Sequence, residues 1–258
     1  MSLSLCFNRV VAERYKSPSQ KAKSLTEDWV NRQGYCPNCG TPNFVKLENN
    51  RPVADFLCAK CQEEFELKSN KLDFKTKVVD GAYKTMIKRL GSCNNPNLFL
   101  LNYDLQKLEV INLFVIPKHF FVPSIIEKRK PLAPTADRAG WIGCNILLQS
   151  IPQAGKIFFV RNKVIESKNK VLAEWRKTLF LREEKDIKSK GWILDVMNCI
   201  EQLAKKEFTL DEIYSFENNL KQKHPNNRYV KDKIRQQLQF LRDKGYLDFI
   251  GRGQYRVV

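Results

Sequence analysis

Cys36-Pro-Asn-Cys39 and Cys58-Ala-Lys-Cys61 are two C-x2-C pairs separated by 18 residues. That interval suits a four-thiolate zinc site, in which each turn aims two sulfurs at one ion. Such a quartet pins four points of the chain together, and Gly40 supplies a tight turn directly after the first pair. A closed tetrahedron of thiolates has no open position for chemistry, so the predicted zinc is structural. A redox motif of the thioredoxin kind would not recur at this interval. Cys6, Cys93, Cys144 and Cys199 show no partner spacing and are expected as packed thiols. Eight cysteines used this way fit a reducing cytoplasm better than a disulfide framework.

The quartet brackets a second pattern. Asp55 stands three residues before Cys58, and Glu66-Leu67-Lys68 begins five residues after Cys61. Glu64-Phe65-Glu66-Leu67-Lys68 alternates like a half-buried strand, so Glu66 and Lys68 share a face while Leu67 points to the core. If the strands on either side of the second pair are paired, Asp55 meets Glu66 and Lys68. Asp55 and Glu66, with the backbone carbonyl of Leu67, would hold Mg²⁺, and Lys68 would position a water or neutralise charge on a phosphate in its transition state. A Glu-x-Lys strand taken alone fits a solvated face equally well. Its apolar neighbours and the basic character of the chain favour a site.

That basic character is pronounced. There are 45 Lys/Arg against 28 Asp/Glu, a net charge of +17, and polyanion binding is a common reason to carry such an excess. Residues 221–258 alone hold 10 basic and 3 acidic side chains. The 43% hydrophobic content is that of a globular protein. No run of 18 apolar residues and no adequate signal-peptide segment occurs, so the expectation is a soluble cytoplasmic protein with no membrane partner.

Along the chain, Ser17-Pro18-Ser19 opens a helical stretch in which Ala22, Leu25 and Trp29 recur at three- and four-residue intervals, with Gly34 expected as its C′ residue. Residues 80–90 read as another helix. Residues 98–101, 110–116 and 156–160 read as strands, and residues 128–145 as a long loop of the kind that often carries function. A helix with Val171, Leu172, Trp175 and Leu179 follows, and polar residues 182–190 read as a linker. Beyond it the pattern predicts helices over 192–203 and 209–220, the second with a Thr209/Glu212 capping box, and a basic helix over 230–244. A hairpin turning at Arg252 completes what reads as a winged helix-turn-helix. The predicted division is 1–181 and 182–258.

SQKAKSLTEDWVNRQGYCPNCG (19–40), ENNRPVADFLC (48–58), EEFELKS (63–69), RKPLAPTADRAGWIGCNI (129–146), KIRQQLQFLRDKG (233–245) and GRGQYR (251–256) resemble the DpnI-type family of methyladenine-directed restriction endonucleases. The resemblance implies an α/β fold: a PD-(D/E)xK nuclease core, a mixed sheet flanked by helices with an inserted four-cysteine zinc site, followed by a small winged helix. It implies Mg²⁺-dependent cutting of double-stranded DNA at GATC sites carrying N6-methyladenine, with the protein acting as a monomer. Metal binding passes to Asp55 and Glu66, a catalytic role to Lys68, and zinc ligation to Cys36, Cys39, Cys58 and Cys61. One departure is Ala54, where the broad nuclease pattern has proline, a residue that coordinates nothing.

For DNA, the resemblance suggests that Trp141 contacts the methyladenine, with Arg138 in the same glycine-flanked stretch. Anchoring of its loop to the core explains that tryptophan as well. Lys231, Lys233, Arg235, Gln236 and Gln237 on the C-terminal helix, and Arg252 at the hairpin, are candidates for phosphates and bases, glutamine being able to bond adenine in the major groove. Two other functions remain open on these grounds: a non-enzymatic zinc-containing winged-helix regulator, which would leave Asp55, Glu66 and Lys68 without purpose, and a nuclease of this class acting on a different nucleic acid.

Overall fold

The structure, a computed structural model, describes residues 3–47, 54–91 and 95–258. Cys93 and residues 48–53 of the ENNRPVADFLC stretch lie outside them. Helices α1 (Val10–Glu13) and α2 (Pro18–Gln33) precede strands β1 (Val45–Lys46), β2 (Phe56–Leu57) and β3 (Glu64–Asn70). Then come β4 (Lys77–Ala82), α3 (Tyr83–Gly91), β5 (Asn97–Asp104), β6 (Glu109–Ile116), β7 (Ile126–Lys128), β8 (Gly143–Leu147), β9 (Ile157–Arg161), β10 (Val164–Ile165) and α4 (Lys168–Lys177). The C-terminal part comprises α5 (Ile187–Gln202), β11 (Glu207–Thr209), α6 (Leu210–Tyr214), α7 (Glu217–Lys223), α8 (Val230–Asp243), β12 (Leu247–Gly251) and β13 (Gln254–Val257).

Among the described residues, seven strands form a central mixed sheet in the order β1-β2-β3-β5-β6-β9-β10, with β3 and β5 parallel and the other pairs antiparallel. Its middle strands read as apolar runs because both faces are covered. Phe99 and Leu101 of β5 point to a core with Trp29 of α2 and Trp175 of α4. Leu98 and Leu100 point the other way, to a core with Met86 and Leu90 of α3 and with α5. Alternation along one strand thus feeds both layers. A small antiparallel sheet, β4-β8-β7, packs beside the second core.

Several expectations change. Residues 80–90 are not one helix: β4 runs to Ala82 and the helix starts at Tyr83. Asp80 suggests a helix cap, but Val78 and Val79 are β-branched, and pairing with β8 overrides the local cue. The long loop ends at Gly143, where β8 begins. Gly34 has φ −75°, so it is not a left-handed cap. What favours glycine there is space, since a Cβ would stand 2.4 Å from the Val30 carbonyl oxygen. The helix expected over 209–220 breaks into α6 and α7, and the Thr209/Glu212 capping box forms. Cys6 is exposed, whereas Cys144 and Cys199 are buried thiols.

The linker is shorter than its polarity suggests. Asp186 caps α5 by accepting from Lys188 and Ser189 N–H groups, so residues 187–190 are already helix. Every residue of α5 from Gly191 to Ile200 is buried. A helix apolar around most of its circumference must be covered on all sides. Trp192, Ile193, Met197 and Ile200 share one core with Phe120 and Val122 on one side and Ile234, Leu238 and Leu247 on the other. A boundary drawn at residue 181 therefore runs beside a single packed core. Polar ties reinforce it: Glu201 accepts from the Gln153 N–H, and Asn198 donates to the Ser150 carbonyl, both at 2.8 Å.

Candidate functional site

The cysteine quartet sets the register of the site. Two tight turns carry it. Cys36 accepts from the Gly40 N–H with Gly40 at φ +74°, and Cys58 accepts from the Gln62 N–H with Gln62 at φ +59°. The four sulfurs lie within 4.8 Å of one another, with Cys36–Cys61 at 3.4 Å and Cys39–Cys58 at 3.5 Å. Those gaps are far beyond a disulfide bond and near the roughly 3.8 Å edge of a zinc–thiolate tetrahedron. Burial raises the pKa of the Cys36 and Cys58 thiols. For Cys39, burial is outweighed by hydrogen bonding from Thr41 and its pKa falls to about 7. All four are soft sulfur donors, so the cluster is suited to a thiophilic cation.

The turn Cys58–Cys61 is also the connection between β2 and β3. Phe56 pairs with Phe65, and the Asp55 N–H donates to the Phe65 carbonyl. β2 begins at the next residue, and the Asp55 carboxylate extends the contact with β3 by accepting from the Leu67 N–H at 2.7 Å. The strands on either side of the second cysteine pair are thus paired, and Asp55 sits beside Glu66-Leu67-Lys68. Lys68 Nζ lies 2.9 Å from Glu66 Oε1 and 2.9 Å from Asp80 Oδ1.

Asp55, Glu66 and Asp80 line a cleft of about 390 Å³ together with Lys23, Glu27 and Arg89, and two of its carboxylates clasp Lys68. Burial raises the Asp55 pKa despite the Leu67 hydrogen bond, with further upward push from Glu27. Burial also raises that of Glu66, against the pull of Lys68 and with help from Asp80. For Lys68, burial works against the charge, but Glu66 and Asp80 outweigh it and raise its pKa. Glu66 and Asp80 already share the Lys68 cation, and Asp55 and Glu66 are the half-buried oxygen donors that could hold a metal ion. Their all-oxygen donor set suits Mg²⁺ or Mn²⁺, as the sulfur set suits zinc.

Asp80, Glu27 and Glu63 escape sequence reasoning. Asp80 does so because its segment reads as helix, and the signal available is the Val78-Val79 pair ahead of Asp80-Gly81. Glu27 is buried on α2, ion-paired with Lys46 at 2.8 Å and Lys23 at 3.4 Å. Glu63, directly after the second cysteine turn, accepts from Asn97 and pairs with Arg182 and Lys118.

The candidate DNA-contacting residues are not among those lining this cleft. Trp141 is half-buried: its indole covers Gly143, where a Cβ would come within 2.8 Å of ring carbons. The Arg138 guanidinium lies 5.1 Å from the same ring. Both anchoring and ligand contact are open to such a side chain. On α8, Ile234, Leu238 and Leu241 are buried, while Lys231, Arg235 and Gln236 are exposed and Lys233 donates to Gln236. Gln237 is buried and unable to reach a base. Arg252 is exposed at the β12–β13 turn, beside Gly253 at φ +69°.

Residues 3–184 match the DpnI family, described as the Dam-replacing family, and residues 188–257 match the Dam-replacing HTH domain. The chain belongs to the Dam-replacing family. Membership points to a restriction nuclease with a C-terminal DNA-binding HTH domain, and the mixed sheet, the four-cysteine cluster and the β12–β13 wing agree with that architecture. Among the described residues no helix is long and apolar enough to cross a membrane.

Proposed function

We propose that this protein is a methylation-dependent restriction endonuclease of the PD-(D/E)xK type that hydrolyses DNA phosphodiester bonds at GATC sites carrying N6-methyladenine. The observation that carries the reading is that Asp55 and Glu66 line one cleft, with Lys68 paired to Glu66 beside it, the strands being held in register by the Cys58–Cys61 turn. Asp55 and Glu66 would hold Mg²⁺. The Leu67 N–H faces Asp55 and its carbonyl leaves the strand on the same edge, which supports its place beside them. The bound ion supplies Lewis acidity and lowers the pKa of water. Lys68 stabilises negative charge on the phosphate, its own charge secured by two carboxylates. Zn²⁺ on Cys36, Cys39, Cys58 and Cys61 has a structural role, fixing the β2–β3 turn and hence the spacing of Asp55 from Glu66.

DNA is engaged by two surfaces in this reading. The exposed face of α8 with Lys231, Lys233, Arg235 and Gln236, and Arg252 on the wing, meet phosphates and bases. Trp141 meets the methylated adenine, and Arg138 leaves its ring for a phosphate. Burying one methyl contributes only about 0.8 kcal/mol, so strong selectivity needs more than one such contact. The two units, 1–181 and 182–258, work as a monomer on a shared core.

The deciding experiment digests one plasmid prepared with and without adenine methylation, in Mg²⁺ and in EDTA. Cutting confined to methylated plasmid with Mg²⁺ is expected. Equal cutting of both plasmids would refute the methyl-directed reading and leave the nuclease. No cutting with retained DNA binding would favour a regulator.

A further inference from the structure

Lys68 is held from two directions that belong to different sheets. Glu66 is its neighbour on β3 of the central sheet, and Asp80 reaches it from β4 of the small sheet. Asp80 stands at an irregularity in the ladder: it pairs with Cys144 and Ala82 pairs with Gly143, so Gly81 is the extra residue of a β-bulge. Bulges re-aim side chains, and they are over-represented beside active sites. Here the Gly81 N–H donates to Asp80 Oδ1 at 2.6 Å, and the same oxygen takes Lys68 Nζ at 2.9 Å. One carboxylate oxygen thus satisfies the bulge and clamps the lysine, with its side chain only 9% exposed.

We propose that Asp80 is the positioning residue for Lys68, holding its ammonium beside the cleft while Glu66 turns its charge to another partner. The proposal rests on the reading of Asp55, Glu66 and Lys68 as the cleavage site. Lysine is a point charge on a flexible four-carbon stem, so one anionic contact leaves it mobile. Glu66 shares the cleft with Asp55, and a divalent cation held by these two residues would claim its charge. Asp80 is then the anion that remains committed to Lys68. Its strand is paired with β8 of the small sheet, so the clamp is anchored independently of Glu66.

The test uses the full-length protein with Asp80→Asn, Asp80→Ser and Asp80→Glu beside Lys68→Ala, measuring plasmid cleavage, Mg²⁺ half-saturation, DNA binding and melting temperature. Serine can still accept from Gly81, which separates support of the bulge from the charge on Lys68. Asn and Ser should each lower kcat by up to about 100-fold, the scale of a reacting group misplaced by an ångström, with KM and Mg²⁺ half-saturation unchanged. Glu should recover part of the loss. In crystals of Asp80→Ser, Lys68 Nζ should leave the place it holds here. Near-wild-type kcat in Asp80→Ser while Lys68→Ala is inactive overturns the proposal and leaves the cleavage site standing. A shifted Mg²⁺ half-saturation overturns it by making Asp80 a metal ligand. Undiminished cleavage by Lys68→Ala removes the site reading and the proposal together.

Discussion

Glu63→Gln isolates the polar network that joins the cysteine turn to the domain junction. The Glu63 carbonyl accepts from the Cys58 N–H, closing the metal turn. Its buried carboxylate pairs with Arg182 at 3.0 Å and Lys118 at 3.2 Å, and accepts from Asn97 Nδ2 at 2.9 Å. Glutamine preserves shape but removes the charge and turns one acceptor into a donor facing other donors. A hydrogen bond to a charged group contributes about 1.5–3 kcal/mol net. Arg182 and Lys118 side chains keep 30% and 35% of their exposure, so water compensates in part and the lower figure applies. Two such losses give about 3 kcal/mol, or a fall of about 6–12 °C in melting temperature for a chain of this size. Tryptophan-fluorescence melts of wild type and variant check the value, since Trp175 lies at the edge of this network through Arg182 and His119. Zinc release to a chelator, followed by a metal indicator, should be faster in the variant. A shift below about 2 °C with unchanged release would mean that water already satisfies these cations, and the stabilising role of the network would be wrong.

Cys39→Ser should lower the zinc content from about one per chain and cost solubility and stability before chemistry, because thiolate binding energy is folding energy; metal analysis and melting curves decide it. Asp55→Ala and Lys68→Ala should each abolish cleavage with DNA binding retained, and excess Mn²⁺ should restore a trace only to the first, measured by plasmid nicking and gel shift. His119 is buried, accepts from Arg182 at Nδ1 and lies 2.8 Å from Thr178, and burial together with Arg182 holds its pKa well below the ordinary value. The unfolded chain then binds the extra proton, so stability is complete above about pH 6.5 and falls as pH drops below it, by at most ~1.4 kcal/mol per pH unit. His119→Gln should flatten that slope in denaturation curves between about pH 5 and 7. Trp141→Ala should erode the ratio of methylated to unmethylated cleavage more than it weakens DNA binding; an unchanged ratio would leave the tryptophan as a loop anchor.

The cysteine spacing, the Asp55 and Glu66-Leu67-Lys68 segments and the capping box at Thr209 were legible in the sequence because each is a local arrangement. A C-x2-C turn, a two-residue strand alternation and an N-cap are decided within a few residues of chain. The apolar runs at 98–101 and 110–116 likewise announced central strands, since burial on both faces removes the polar alternation. Tertiary structure decided what depended on partners distant in the chain. Asp80 became a strand residue beside Lys68 because β8, more than sixty residues on, offered a ladder that outweighed a local helix cue. Residues 187–190 joined α5 because that helix is covered from both sides, so a polar composition that reads as a linker became the first turn of a shared core. Gln237 carries the chemistry to read adenine, yet its position on the inner face of α8 buries it. Sequence specified the donor groups, and long-range packing determined which of them face one another.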